Sequence, residues 1–315
     1  MKELISFAES TLADRIQLYH KGQKIVDWKK ESCNLEVYNT ASMVKSWTGI
    51  AVGILIDSGL IGSVNDQVCD YLPGWAEGCK HNITIKNLLN MSAGFNRRGA
   101  RGIISKTDMN DYVLNSPLDT LPNIKFSYSN ESVQLLGLLM ERVSGTAAQA
   151  LFKKLIFDPL EMKSSTLMKD SVGNYIVYGG MTTSPEDAAK IGHLMLNNGR
   201  YKGKQIVSEH WVKEMVTPSQ LAQFYGYLWW IDQQSQHKTR VVILAPKAEN
   251  NITAMLLHVL EYHGKNVDFV LDKAQSTHFD KQNEFIVIEA TKNADVYKAN
   301  IALLCDVNPE INTAT

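Results

Sequence analysis

A serine and a lysine three residues apart, Ser42 and Lys45, form the pair in this chain best suited to covalent chemistry. On a helix, residues at that spacing share a face, so Lys45 Nζ can reach Ser42 Oγ. A serine hydroxyl is a weak nucleophile at neutral pH and needs an adjacent base. A lysine partly withdrawn from water can become that base, with no histidine required. The pattern is not decisive by itself, because Ser235 and Lys238 repeat it later in the chain. Tyr128-Ser129-Asn130 is the second candidate. A tyrosine hydroxyl beside a lysine can relay a proton, and an asparagine amide can orient both the lysine and a carbonyl. Taken alone, the tripeptide suits a helix cap beside a packed ring equally well.

The elements around these residues can be read from pattern. Residues 15–28 form two short strands about Lys21-Gly22, a hairpin. Thr40-Ala41 leads into Ser42 and a long apolar helix from Trp47 to Ser58, closed by Gly59. Ser42 thus falls near a helix N-terminus, where unpaired N–H groups and the dipole favour developing negative charge. A helical segment is expected over Ile85–Met91, followed by a polar, glycine-rich surface loop over 92–106 with mobile character. Val133, Leu135, Leu136, Leu138, Leu139 and Val143 recur at helical spacing and stop at Gly145. Ser184 is suited to cap a helix that opens at Pro185-Glu186-Asp187 and runs through Leu196. The aromatic run from Tyr225 to Ile231 predicts a strand. Early strands, a large helical middle and a late strand argue for an α+β fold over a repeated βαβ unit.

Composition narrows the function classes. At 315 residues and 44% hydrophobic, the chain can bury one large core or two smaller ones. A net charge of −1 gives no electrostatic case for nucleic acid or an anionic membrane. Cys33, Cys69, Cys79 and Cys305 lack metal-ligand spacing and read as free buried thiols; no metal or cofactor is expected. Residues 1–9 carry two acids and no sustained apolar stretch, unlike a signal peptide. No apolar run reaches the roughly 18 residues that a membrane helix needs. The compartment stays open between cytoplasmic and periplasmic with a leader removed.

Several stretches resemble one family in order. Ser42-Met43-Val44-Lys45 is similar to its S-x-x-K, Leu88-Leu89-Asn90-Met91-Ser92-Ala93-Gly94-Phe95 to L-L-x-H-T-S-G-L, and Phe126-Ser127-Tyr128-Ser129-Asn130 to F-x-Y-S-N. Asp158-Pro159-Leu160-Glu161-Met162 resembles P-L-G-M, the stretch from Gly179 to Asp187 resembles G-G-x-x-S-T-x-x-D, and Gly226-Tyr227-Leu228-Trp229-Trp230 resembles G-Y-G-W-W. This is the β-lactamase-related serine hydrolase family: class C-like β-lactamases, penicillin-binding proteins, D-amino-acid peptidases and carboxylesterases. The resemblance spans about residues 10–232. It implies an antiparallel sheet flanked by helices with a large helical region, and a small-molecule or peptide substrate. It also implies Ser42 as acylated nucleophile, Lys45 as its base, Tyr128 as proton relay to the leaving group and Asn130 as substrate anchor. The Ser42 N–H would form half of an oxyanion hole. Trp229 and Trp230 would wall the pocket or pack in the core.

The resemblance weakens near residue 237. The family's third element is a strand reading K-T-G, H-T-G or H-G-G, whose glycine lets substrate lie close to the main chain. The candidate here is Lys238-Thr239, with Arg240 in the glycine's place. From Thr239 onward the chain resembles the start of a Mur ligase ATP-binding domain. Arg240–Ala245 would be its first strand, Ile252–Gly264 the following helix, and Val267–Leu271, Phe285–Ala290 and Asn300–Leu304 later strands. Its phosphate loop is degenerate: the turn Ala245-Pro246-Lys247-Ala248-Glu249-Asn250-Asn251 lacks both glycines, and Glu249 stands where a lysine is needed. ATP is therefore not expected there.

The sequence thus predicts a hydrolase domain over 1–236 and an α/β segment over 237–315 that is Mur-ligase-like or completes the hydrolase sheet. The expected activity is cleavage of an amide or ester (small peptide, D-amino-acid derivative, ester or β-lactam) through an acyl-enzyme on Ser42. The alternative is a catalytically impaired homologue that binds peptidoglycan-like ligands or a protein.

Overall fold

The computed structural model of the protein describes residues 2–9, 13–20, 22–96 and 102–231, together with the backbone of strands within 240–301. After helix α1 (Lys2–Glu9), strands β1 (Arg15–His20) and β2 (Gln23–Lys29) form the expected hairpin, turning at Gly22 with φ +78°. A short strand, β3 (Tyr38–Asn39), carries the chain to a 3₁₀ turn over Ala41–Met43. That turn runs directly into α2 (Val44–Asp57). Every residue of α2 from Val44 to Gly53 is buried, so the helix is covered on all sides and threads the core. Gly59, at φ +74°, supplies the left-handed residue past its end.

Of the short helices α3 (Val68–Tyr71), α4 (Ala76–Lys80), α5 (Ile85–Leu89) and α6 (Met109–Asn115), α3, α5 and α6 pack on α7 (Asn130–Ser144), which itself packs on α2, and α4 packs on α3. Thr84 and Asn87 close α5 with a reciprocal capping box. Gly145 ends α7 at φ +62°. Next come α8 (Ala148–Phe152), β4 (Thr166–Leu167), β5 (Met181–Thr183) and α9 (Pro185–Leu196), whose Ser184 side chain accepts from the Asp187 N–H as expected. Strands β6 (Arg200–Tyr201) and β7 (Lys204–Gln205) precede α10 (Glu209–Met215). The chain then supplies β8 (Arg240–Leu244), β9 (Met255–Glu261), β10 (Phe279–Asp280), β11 (Phe285–Lys292) and β12 (Asp295–Ile301).

One sheet has the order β2-β1-β9-β8, joining strands from distant parts of the chain; β9 runs parallel to β1 and antiparallel to β8. Helix α9 packs on β8 and β9. Its N-terminal Glu186 also accepts from Arg15 and from Gln17, a buried amide on β1, which pins helix and hairpin together. Among the described residues, no helix is long and apolar enough to cross a membrane.

Four expectations are corrected. The helix expected over Ile252–Gly264 is instead strand β9 (Met255–Glu261), because a short, largely apolar run such as Met255–Leu260, broken only by His258, serves either element and β1 offers main-chain partners. The run from Tyr225 to Ile231 is a tight turn with a single Tyr225–Trp230 bridge, since Leu228 sits at φ +60° and breaks the strand. The stretch 92–106 is not wholly a surface loop: Ser92, Ala93, Phe95 and Ile103 are buried, and Ile103–Ser105 forms a 3₁₀ turn. Cys69 and Cys79 are disulfide-bonded rather than free, because α3 and α4 bring their Cα atoms to 4.8 Å. Cys33 is a free thiol. The strand expected over 267–271, the turn 245–251 and Cys305 lie outside the described residues.

Candidate active site

The site is built where α2 and α7 face each other across the segment 175–178. Ser42 lies in the 3₁₀ turn, held by Thr40 N–H to Met181 O at 2.8 Å and by Ala41 N–H to Asn39 Oδ1 at 2.8 Å. Ala41 itself has φ +43°, an unusual conformation for a residue with a side chain, directly before the serine. Lys45 follows in the first turn of α2 and is 1% exposed. Its Nζ donates to Ser42 Oγ at 2.9 Å, to Asn130 Oδ1 at 2.7 Å and to the Tyr178 carbonyl at 2.6 Å. The same Nζ sits 4.8 Å from the centre of the Tyr128 ring. Ser42, Lys45, Tyr128 and Asn130 are thus gathered at one point from the 3₁₀ turn, helices α2 and α7 and the loop between α6 and α7.

Asn130 is the first residue of α7, one position after the Ser129 N-cap. The loop that delivers Tyr128 is stitched to the end of α5: Ser127 N–H donates to Met91 O at 2.8 Å, and Asn123 N–H to Ser92 O at 2.9 Å. Asn87 Nδ2 adds a bond to Asn123 Oδ1 at 2.7 Å.

The 175–178 segment is clasped from both sides. From α2, Lys45 and Thr48 share a face and bond Tyr178 O and Val177 O, the latter at 2.7 Å. From α7, Gln134 lies one turn beyond Asn130; its Nε2 donates to Tyr175 O at 2.8 Å and its Oε1 accepts from Val177 N–H at 3.3 Å. Gly137 continues that face, and a Cβ there would come within 2.7 Å of Val177 Cγ2. Sequence reasoning missed Tyr178, Thr48 and Gln134. Tyr178 acts through a backbone carbonyl, which leaves no mark in residue type.

Glu131 was missed as well. It is 0% exposed in the first turn of α7 and accepts from the Ile103 N–H at 3.0 Å.

The two tryptophans part company. Trp229 is 7% exposed and belongs to the core, whereas the ring of Trp230 stacks on that of Tyr128 at 5.7 Å. Lys238 and Thr239 lie outside the described residues; the edge strand β8 begins at the next position, Arg240. Among the described residues, no cluster of three or more His, Cys, Asp or Glu side chains is arranged to hold a metal ion.

A beta-lactamase family model matches residues 16–262, most of the chain and all four of the gathered residues. The chain belongs to the beta-lactamase family. Members of this family are hydrolytic serine enzymes, and their homologues act on amides, esters and peptides. Protein flp of Staphylococcus aureus (strain MW2) is 26% identical over 210 residues, which cover 62% of this chain and 42% of that protein. The 6-aminohexanoate-dimer hydrolase of Paenarthrobacter ureafaciens is 24% identical over 194 residues, covering 56% and 49%. The chain therefore spans about half the length of these relatives. FmtA from Staphylococcus aureus shares the fold, with a TM-score of 0.61 at 15% identity over 77% of each chain. The expected fold, a β-lactamase/transpeptidase-like mixture of helices and small sheets, is the fold observed.

Proposed function

We propose that this beta-lactamase family chain cleaves an amide or ester through an acyl-enzyme on Ser42. The observation that carries the reading is the reach of buried Lys45 Nζ to Ser42 Oγ at 2.9 Å, with Asn130 Oδ1 and Tyr178 O, both pure acceptors, holding the same nitrogen in place. A neutral amine has two hydrogens and one lone pair. It would donate to the two carbonyl oxygens and turn its lone pair toward the Ser42 hydroxyl, the geometry a general base needs.

In the resulting cycle, Ser42 Oγ bonds to the substrate carbonyl carbon as its proton passes to Lys45 Nζ. The oxyanion would be held by the Ser42 N–H and by a second donor, which the family resemblance assigns to the Lys238-Thr239 motif. Collapse of the tetrahedral species breaks the bond to the amine or alcohol, which leaves with a proton delivered through the Tyr128 hydroxyl. Water then attacks the acyl ester, and Ser42 regains its proton. Asn130 holds Lys45 and positions the substrate carbonyl. The names of relatives support amide-bond substrates, a 6-aminohexanoate dimer among them. In this reading β8 and β9 complete the hydrolase sheet, and residues 237–315 carry no ligase chemistry.

A second reading, a homologue that binds such ligands without turnover, is favoured by one feature: Arg240 opens β8 where the family places a glycine. One experiment separates the two. The protein is incubated with a fluorophosphonate and, separately, a fluorescent penicillin, and its intact mass is measured beside Ser42→Ala. A mass adduct present in the parent and absent in Ser42→Ala is expected. No adduct together with no p-nitrophenyl ester turnover overturns the hydrolase reading.

A further inference from the structure

A line of aromatic rings leads outward from the candidate active site. The Tyr128 ring lies under Lys45 Nζ, Trp230 stacks on Tyr128 at 5.7 Å and 29°, and Phe224 stacks on Trp230 at 5.8 Å and 12°. Phe126 meets Phe224 edge-on at 5.4 Å and Trp230 at 6.2 Å. Tyr225, fully buried, stands edge-on to Trp230 at 5.0 Å and to Tyr128 at 6.1 Å, buttressing both. The outer end is wet: Phe224 is 41% exposed, and Trp230 and Phe126 are partly exposed.

The wall is preformed. Its turn is clamped by Tyr227 N–H to Met215 O at 3.0 Å, Leu228 N–H to Leu89 O at 3.1 Å and Ile231 N–H to Phe224 O at 2.8 Å. Ser46, the residue after the candidate base, reaches the Leu228 carbonyl at 3.4 Å. A side chain at Gly226 would strike Met215 O at 2.1 Å, so the turn sits as close to α10 as a backbone can. A rigid aromatic surface held open to water beside a nucleophile is arranged to receive an apolar group.

We propose that the Tyr128–Trp230–Phe224 stack is the subsite for the leaving group, and that the preferred substrates carry an aryl or long-alkyl alcohol or amine there. This rests on the acyl-enzyme reading above. The side is fixed by Tyr128: the ring line starts on the residue that passes the proton to the departing atom, so the body of the leaving group extends along it. One face of a phenyl ring, roughly 40 Å² of apolar surface, is worth a factor of about five when removed from water.

The test uses acetate esters of ethanol, 1-butanol and 3-phenyl-1-propanol, whose leaving alcohols have nearly equal acidity, with Phe224→Ala and Phe224→Leu. Expected is a kcat/KM that rises along the series, and a 3-phenylpropyl-to-ethyl ratio that falls about fivefold in Phe224→Ala and less in Phe224→Leu. Lengthening the acyl side instead, in ethyl 4-phenylbutanoate, should give a ratio to ethyl acetate that Phe224→Ala does not change. A uniform loss across both series, or a flat alcohol series in the parent, overturns the subsite. Binding of 3-phenyl-1-propanol by saturation-transfer NMR is measured in parallel and needs no turnover. Binding weakened about fivefold by Phe224→Ala, without ester turnover, supports the subsite and sinks the hydrolase reading alone. Equal binding to parent and variant sinks the subsite.

Discussion

Replacing Gln134 by leucine should weaken both the fold and the candidate site, although Gln134 touches none of the reacting atoms. The side chain is 2% exposed and joins α7 to α6 and to the 175–178 segment through Asn110 Oδ1 at 2.8 Å, Tyr175 O at 2.8 Å and the Val177 N–H at 3.3 Å. Leucine is similar in volume but returns none of these bonds. The buried Val177 N–H is then left without its side-chain acceptor and Tyr175 O without its donor, and each such group costs roughly 1–3 kcal/mol. Partial relaxation brings the sum to about 2–4 kcal/mol, read as the change in unfolding free energy in a urea titration. The second effect follows from geometry. Tyr178 O, only one residue past Val177, holds Lys45 at 2.6 Å, and a shift of about 1 Å at a reacting group costs on the order of 100-fold in rate. The rate of Ser42 labelling by fluorophosphonate should therefore fall at least tenfold under conditions where the variant is fully folded. Gln134→Glu adds a sign. It keeps an acceptor for Val177 but turns a carboxylate toward two carbonyl oxygens, so its neutral form is favoured in the folded state. The unfolded chain loses that proton above about pH 4.3 while the folded state keeps it, so stability relative to the parent falls as pH rises from there. If Gln134→Leu retains stability within 0.5 kcal/mol of the parent, roughly the scatter of surface substitutions, the clasp is not what holds this segment.

Two more tests address packing and pH. Gly53→Ala places a Cβ 2.0 Å from Trp211 Cδ1 and Nε1, where the indole also donates to Gly49 O at 3.0 Å; a loss of roughly 1–3 kcal/mol in unfolding free energy is expected, and a neutral result would show that Trp211 moves freely. The second concerns His193 and Asp170 in acid. Burial holds His193, edge-on to Tyr19 at 5.1 Å, below its ordinary value, so the unfolded chain takes up a proton first and stability declines as pH falls below about 6.5. Burial alone would raise Asp170, but bonds from the Met109 N–H, the Asn174 side chain and N–H, and the Val172 N–H outweigh it and lower its pKa. Its contribution is complete above about pH 4 and is lost as pH falls through the folded value. Urea titrations from pH 3 to 8 should show both declines, and His193→Phe should remove much of the first. An unchanged slope between about pH 5 and 7 in that variant would refute the His193 assignment.

The parts of this molecule legible in its sequence are those in which side-chain identity does the work. The hairpin at Gly22, the ends of α2 and α7 at Gly59 and Gly145, and the Ser184 cap each rest on a residue whose conformational or hydrogen-bonding habit is local. The nucleophile pair and Tyr128-Ser129-Asn130 were legible for the same reason, since their chemistry lives in side chains. What stayed hidden depends on backbone atoms and distant pairing. Nothing in residue type announces that the Tyr178 carbonyl will be a partner of Lys45, or that Met255–Glu261 will pair parallel to Arg15–His20. The tryptophans show the limit most clearly. The expectation of a strand over 225–231 assigns alternate residues to alternate faces, yet Leu228 at φ +60° resets that alternation. Trp229 therefore enters the core, and Trp230 meets Tyr128. A single left-handed residue, paired through its own N–H with Leu89 O, decides which indole lies beside the candidate nucleophile. The same residue settles where the aromatic wall leading to Phe224 begins.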